Sequence, residues 1–126
     1  MLAVDYLKAQ ELRGVVRADF DAAFREVDAI LTPTVPVPAP LLGSATVRVD
    51  SHLESVRSAL IGMNPAANFT GLPAISVPCG FTPEGLPVGM QLIGRAFEEK
   101  TLFRLAYAYE QATEWYLRQP KTLEEL

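Results

Sequence analysis

Few side chains in this chain could do covalent or acid–base chemistry, and they are scattered: Cys79, His52, Ser76 and the lysines Lys8, Lys100 and Lys121. A cysteine nucleophile needs its thiolate favoured by a nearby cation or helix N-terminus, with an imidazole in hydrogen-bonding reach. Cys79 instead follows Pro78 at the end of an apolar run, where a small buried thiol is the expected outcome. Ser76 sits between Ile75 and Val77 with no glycine-rich elbow to lift its hydroxyl onto an exposed turn, so it is not read as a nucleophile. His52, next to Asp50 and Glu54, reads as part of a solvated polar cluster, and no metal-ligand spacing occurs. Gly85, Gly89 and Gly94 do not form a phosphate-binding motif and suit a turn and close packing in a ribbon. The residues therefore assign no catalytic group, no metal and no cofactor.

The elements around these residues are clearer. Ala74 to Val77 is short, apolar and partly β-branched, with Pro73 and Pro78 punctuating both ends, which predicts a strand. Val88 to Gly94 alternates, placing Val88, Met90 and Leu92 on one face and Gly89, Gln91 and Ile93 on the other. Thr82-Pro83-Glu84-Gly85 suits a type I turn, because proline presets φ at the second position and glycine accepts the exit from the turn. The stretch 68–95 is thus expected to be an antiparallel hairpin introduced by a Gly71-Leu72-Pro73 corner.

The runs Asn68–Phe81 and Gly85–Arg95 resemble the C-terminal part of amidase-signature enzymes, amidohydrolases that include the A subunits of tRNA-dependent amidotransferases. Val27–Thr34 resembles that family's strand ending in Thr-Pro, and Thr101–Trp115 its final helix, so the likeness covers nearly the whole chain. The resemblance implies an α/β fold, a partial amidase-signature architecture with a mixed β-sheet of few strands packed with about three helices. It makes Gly71, Leu72, Pro73, Pro78, Gly85 and Gln91 the structural motif, and places Met63, Asn64, Ala67 and Asn68 beside the acyl side of a substrate pocket. A buried connection, with Asn64 and Asn68 satisfying backbone groups, explains the last four equally well. Family catalysis uses a serine, a second serine across a cis peptide and a lysine, all upstream of the part resembled here. Residues 1–126 then read as the C-terminal segment of an amidase that cleaves carboxamide C–N bonds, inactive in isolation. A non-catalytic packing or interaction module is the alternative, and a fragment of a glutamine-dependent tRNA amidotransferase A subunit the second. Those A subunits carry an acidic residue shortly before the asparagine matching Asn68; Ile61, Gly62, Met63 and Asn64 supply none, which favours a less polar acyl pocket.

Elsewhere, Leu12, Val16, Phe20 and Phe24 recur at steps of four, with Ala23 and Val27 beside them, and predict an amphipathic helix over 6–27 with Arg13, Arg17, Asp21 and Arg25 in solvent. Ala29–Thr32 predicts a short strand, and Pro33, Pro36, Pro38 and Pro40 an extended surface connection. Residues 42–50 read as a linker holding a short β piece at Thr46–Val49. Ser51-His52-Leu53-Glu54 has the form of a capping box, predicting a helix with Leu53, Val56, Leu60 and Met63 on one side, ending near Gly62 because Pro65 bars continuation. A last helix is expected over 98–117, with Leu102, Leu105, Ala106, Tyr109, Ala112, Thr113 and Tyr116 inward and Glu98, Glu99, Arg104 and Glu110 in water; Tyr107, Tyr109, Trp115 and Tyr116 are read as core. Residues 119–126 are expected to fray.

A chain of 126 residues with 49% hydrophobic and 21% charged residues is globular in composition and about one domain long. A net charge of −4 argues against direct nucleic-acid binding. Met1–Asp5 lacks a basic start, no stretch has the apolar length of a membrane span, and one cysteine fits a reducing compartment, so a cytoplasmic location is expected. The expected partners are a small-molecule amide substrate in the complete enzyme, and a second copy or another chain covering an exposed sheet edge.

Overall fold

The computed structural model describes residues 2–118; the expected frayed tail at 119–126 lies outside them. Three antiparallel strands, β1 (Ala29–Pro33), β5 (Pro87–Gly94) and β4 (Ala74–Phe81), form the main sheet in the order β1-β5-β4. The hairpin between β4 and β5 closes as read: Gly85 N–H donates to Thr82 O at 2.9 Å, and Gly85 takes a φ of 88°. The first strand of the hairpin does not stop at Pro78 but runs on to Phe81. Proline is tolerated there because β4 is an edge strand and a bulge falls between Pro78 and Gly80, where the ladder needs no donor. All pairings in this sheet are antiparallel rather than mixed, since β1 and β4 both run opposite to β5.

Pairing of Thr32 and Ser76 with Gln91 puts alternate residues of the three strands on common faces. On one face Val77, Met90 and Leu92 pack with Leu102 and Ala106 of helix α4 (Glu99–Thr113). On the other, Ile93 packs with Phe24, Ala67 and Leu72, backed by Phe20 and Ile30. These two clusters are the core, and they confirm the alternation read along Val88–Gly94. Gly94 is buried under α4, whose Leu102 lies so near that a Cβ at position 94 would come within 2.9 Å of it.

Helix α1 (Ala3–Ala23) starts and ends earlier than expected and contains no buried residue; Phe24, at its C-cap, is its deepest neighbour. Leu12 is 60% exposed because steps of four overshoot the 3.6-residue turn by about 40° each, so Leu12 lies roughly 120° around the helix from Phe24. Arg17 is not purely solvated: it pairs with Asp21 at 3.2 Å and its Nη1 donates to Thr70 O at 2.9 Å, tying α1 to the end of a further helix.

Between the prolines and the hairpin the chain departs from expectation. Thr46–Val49 is strand β2, but His52–Ser55 is strand β3 paired with it, not the start of a helix. The intervening Asp50 takes a φ of 50°, which aspartate accepts at a tight turn, and pairing with β2 removes Ser51 and Glu54 from any helix N-terminus. The helix, α2 (Val56–Ile61), begins four residues later, capped by Ser55, whose Oγ accepts from Ser58 N–H at 3.0 Å. Leu53 is consequently exposed in β3, and the buried residue of α2 is Ala59. Pro65 does not merely end a helix; it starts one, α3 (Pro65–Thr70), where proline loses no hydrogen bond in the first turn. Gly71 closes α3 with a φ of 70°, and Leu72 N–H returns to Ala67 O at 3.1 Å.

Among the described residues there are thus four α-helices rather than about three. The last, α4, stops at Thr113 because Glu114 turns left-handed at φ 55°, and Trp115–Leu117 form a short 3-10 turn. Its inner stripe narrows to Leu102, Ala106, Tyr109 and Thr113; Leu105, Ala112 and Tyr116 are exposed, and so is Tyr107 at 65%. The helix lies over β4 and β5, so its flank has no strand beneath it and these side chains are not core.

Candidate functional site

The second face of the sheet turns from apolar to polar along its length. Ile30 and Ile93 belong to its packed end, but one step on, the register brings Thr32, Gln91 and Ser76 side by side, and then Thr34, Gly89 and Pro78. Gln91 is 6% exposed, and its Nε2 donates to Thr32 Oγ1 at 3.2 Å, which supplies a partner to a buried amide. Thr34 Oγ1 and Ser76 Oγ lie 2.5 Å apart, bridging the two outer strands over the middle one. The bridge depends on Gly89: a Cβ there would stand 2.9 Å from Thr34 Oγ1 and 3.2 Å from Ser76 Oγ. Gly89 O also accepts from Thr34 N–H at 3.0 Å, continuing the ladder past Pro33.

Two shallow grooves of about 340 Å³ each flank this bridge and share Val35, Pro87, Val88 and Gly89. One adds Thr34, Ser76 and Pro78; the other adds Val37, Ala39, Pro40 and Leu60, so the proline-rich connection is a groove wall rather than a bare linker. Its Val37 is buried, which anchors that wall. A pair of alcohols facing an apolar groove can orient a neutral polar group by hydrogen bonds. It cannot serve as an activated nucleophile here, because the partner of Ser76 Oγ is another hydroxyl and not a base.

The four residues expected at the pocket lie on one short segment, where Asn68 N–H donates to Asn64 O at 3.3 Å, but they differ in burial. Ala67 is 4% exposed and packs into the core with Phe24, Leu72 and Ile93, while Asn68 faces solvent. Asn64 occupies the N-cap position of α3 and its Nδ2 donates to Leu60 O at 3.4 Å, satisfying a backbone group. Met63 is half-exposed before it, and the grooves described above are lined by Leu60 but by none of the four. Ser76 is mid-strand as read; Cys79 is a free, half-buried cysteine whose carbonyl accepts from Tyr109 Oη at 3.4 Å. His52, Lys8 and Lys100 are exposed on separate elements, and Lys121 lies outside the described residues. No cluster of three or more His, Cys, Asp or Glu able to hold a metal occurs among the described residues.

The Thr34–Ser76 bridge escaped sequence reasoning because its partners are 42 positions apart. The one local hint was a glycine, Gly89, on the polar face of an otherwise well-filled strand, which signals close approach of other atoms. Gly89→Ala is expected to break the bridge and cost about 1–3 kcal/mol through overpacking. A Gly89→Ala, Ser76→Ala double variant should recover part of that loss in urea unfolding; an unchanged loss would show that the crowding lies elsewhere.

A family model described as Amidase matches residues 1–103. Among curated relatives, the glutamyl-tRNA(Gln) amidotransferase A subunit of Thermodesulfovibrio yellowstonii is 45% identical over 115 residues, 91% of this chain and 23% of that protein. Its namesake from Synechococcus elongatus is 48% identical over 115 residues, with the same coverage of 91% and 23%. A crystal structure of an amidase superposes with a TM-score of 0.82 at 32% identity, covering 89% of this chain and 25% of that one. The glutamyl-tRNA(Gln) amidotransferase A subunit of Thermotoga maritima gives a TM-score of 0.69 at 37% identity, covering 84% and 22%. The chain spans about a quarter of the length of these relatives.

Proposed function

Because this chain belongs to the amidase family, we propose that it forms the C-terminal sheet and one pocket wall of an enzyme hydrolysing carboxamide C–N bonds. In such an enzyme a serine attacks the carbonyl, backbone N–H groups hold the oxyanion, and a neutral lysine moves the proton through a bridging serine. The serine pair and the lysine belong to sequence outside this chain. The chain contributes the antiparallel platform and the apolar grooves beside Gly89, with Met63, Asn64, Ala67 and Asn68 on the segment that borders the acyl group. The observation that carries this reading is the superposition on an amidase crystal structure at a TM-score of 0.82.

The test is a chimera in which this chain replaces the matched quarter of that amidase. Ammonia release from a simple carboxamide by the chimera, and none by the 126-residue chain alone, is the expected result. A folded but silent chimera, or ammonia release by the isolated chain that depends on its own Ser or Cys, would overturn the reading.

Identities of 45% and 48% to amidotransferase A subunits support a second reading, in which the substrate is glutamine. Against it stand Ile61, Gly62, Met63 and Asn64, which offer no carboxylate to a substrate ammonium, and an unpaired buried amine costs several kcal/mol. The chimera is therefore expected to prefer an apolar-acyl carboxamide over glutamine. No helix among the described residues is long and apolar enough to cross a membrane, and a cytoplasmic enzyme acting on a small amide fits this.

A further inference from the structure

The two hydroxyls over Gly89 carry more hydrogen-bonding capacity than their bridge uses. A hydroxyl has one hydrogen and two lone pairs, so the 2.5 Å contact between Thr34 Oγ1 and Ser76 Oγ engages only one of the two hydrogens. Neither oxygen has another protein partner among the described residues, which leaves one donor and several lone pairs at the groove wall. The backbone does not ask for a glycine beneath them: unlike Gly85, Gly89 does not take a positive φ. What a Cβ at position 89 would strike is the hydroxyl pair itself.

The pair is held in place before any ligand arrives. Thr34 N–H donates to Gly89 O at 3.0 Å, extending the ladder from β1, and Ser76 lies within β4, so both stand on the sheet rather than on a free loop. One step along the strands, the buried amide of Gln91 donates to Thr32 Oγ1 and fixes β1 against β5. The surroundings then select by charge. Val35, Pro87, Val88 and Gly89 are common to both grooves, and apart from Thr34 and Ser76 every other lining residue is a valine, alanine, leucine or proline. A carboxylate or ammonium entering here would lose water without gaining a counter-ion. A carbonyl, ether or carboxamide can instead exchange a water bond for the spare hydroxyl donor. At about 340 Å³ each, the grooves lie at the lower end of small-molecule sites, which suits a short chain.

We propose that Thr34 and Ser76 form a subsite for an uncharged oxygen or amide group carried on a short apolar chain. The hydroxyl pair is its polar anchor, and the groove beside Val35 and Val88 is its apolar bed. Assigning this ligand to the acyl group of an amide substrate rests on the amidase reading; the recognition itself does not.

The test titrates the full chain with butanamide, butanoate and butylammonium, probes of matched size, and follows backbone amide shifts by NMR. Butanamide is expected to give saturable shifts at Thr34, Ser76, Val88 and Gly89 with a millimolar Kd, and both ions to bind at least about tenfold more weakly. A net charge of −4 would draw the cation if bulk electrostatics decided, so the ammonium probe separates the two effects. Thr34→Val with Ser76→Ala removes both partners of the bridge at once and leaves neither hydroxyl unpaired, so its urea midpoint should stay near that of the unaltered chain. Its butanamide affinity should fall about threefold to tenfold. The charge preference of the unaltered chain is read whether or not that variant folds. Binding of either ion as tight as that of butanamide, shifts confined to other residues, or no saturable shift would overturn the proposal. So would undiminished butanamide binding by the folded double variant, which would make the bridge a tie between strands and nothing more. Turnover does not enter this readout. Selective binding by the chain beside a silent chimera would refute the hydrolase reading and leave the subsite standing, and an active chimera whose parent chain shows no selectivity would do the reverse.

Discussion

Leu102→Ala is expected to lower the unfolding free energy by about 2–5 kcal/mol, a large part of the margin of a domain this size. Leu102 is 3% exposed and joins Val77, Met90, Leu92 and Ala106 in the cluster that attaches α4 to the sheet. Its branch point lies over Gly94, where a Cβ would sit 2.9 Å from Cγ, 3.0 Å from Cδ2 and 3.2 Å from Cδ1. Gly94→Ala alone should therefore overpack the same contact and cost about 1–3 kcal/mol. Alanine at position 102 lacks all three of those atoms, so the double variant should lose less than the two single losses added together. A urea-unfolding cycle reads this directly. Strict additivity would mean that α4 shifts as a body and that Gly94 is not what sets its distance from the sheet.

The second large effect is expected from Arg95→Ala, at about 2 kcal/mol, since hydrogen bonds from a charged donor are among the stronger ones and this side chain is only partly screened. Arg95 follows β5 and reaches the place where the chain leaves α1. Nη2 donates to the carbonyls of Phe24 and Val27, the latter at 3.0 Å, and Nη1 lies 3.4 Å from Asp28 Oδ1 and 3.5 Å from Glu98 Oε2. Its guanidinium also stands 5.9 Å from the Phe24 ring centroid. A cation at the C-terminal end of a helix satisfies carbonyls that have no helical partner, so one residue joins α1, the start of β1 and the entry to α4. Arg95→Lys should recover less than half of the loss, because an ammonium cannot reproduce the planar fork that reaches several acceptors. The check is faster amide exchange over 24–29 in the alanine variant; unchanged exchange there, with stability intact, would mean that packing of Phe24 alone holds the junction.

Resemblance and local pattern together were enough to identify the family and the central hairpin. The alternation of Val88–Gly94 reports its two faces because a pleated strand has a period of two whatever it packs against. Gly85 marks its turn because a positive φ is a local demand. The errors also have local causes. Ser51 to Glu54 satisfies the spacing of a capping box, yet His52–Ser55 extends and pairs with Thr46–Val49, and the pairing won. Pro65 forbids a helix running through it and favours one beginning at it, and only the second property operates here.

The three strands of the main sheet, its hairpin turn and the two long helices were therefore legible in the order of residues alone, because each rests on backbone geometry repeating over neighbouring positions, and the family was legible in its motifs. Which side of α1 is covered, that Ala67 enters the core while Asn68 does not, and that Thr34 meets Ser76 over Gly89 were decided by tertiary structure. Those outcomes depend on surfaces from distant parts of the chain meeting at one place, and a contact between residues 42 positions apart leaves no periodic trace in either of its partners.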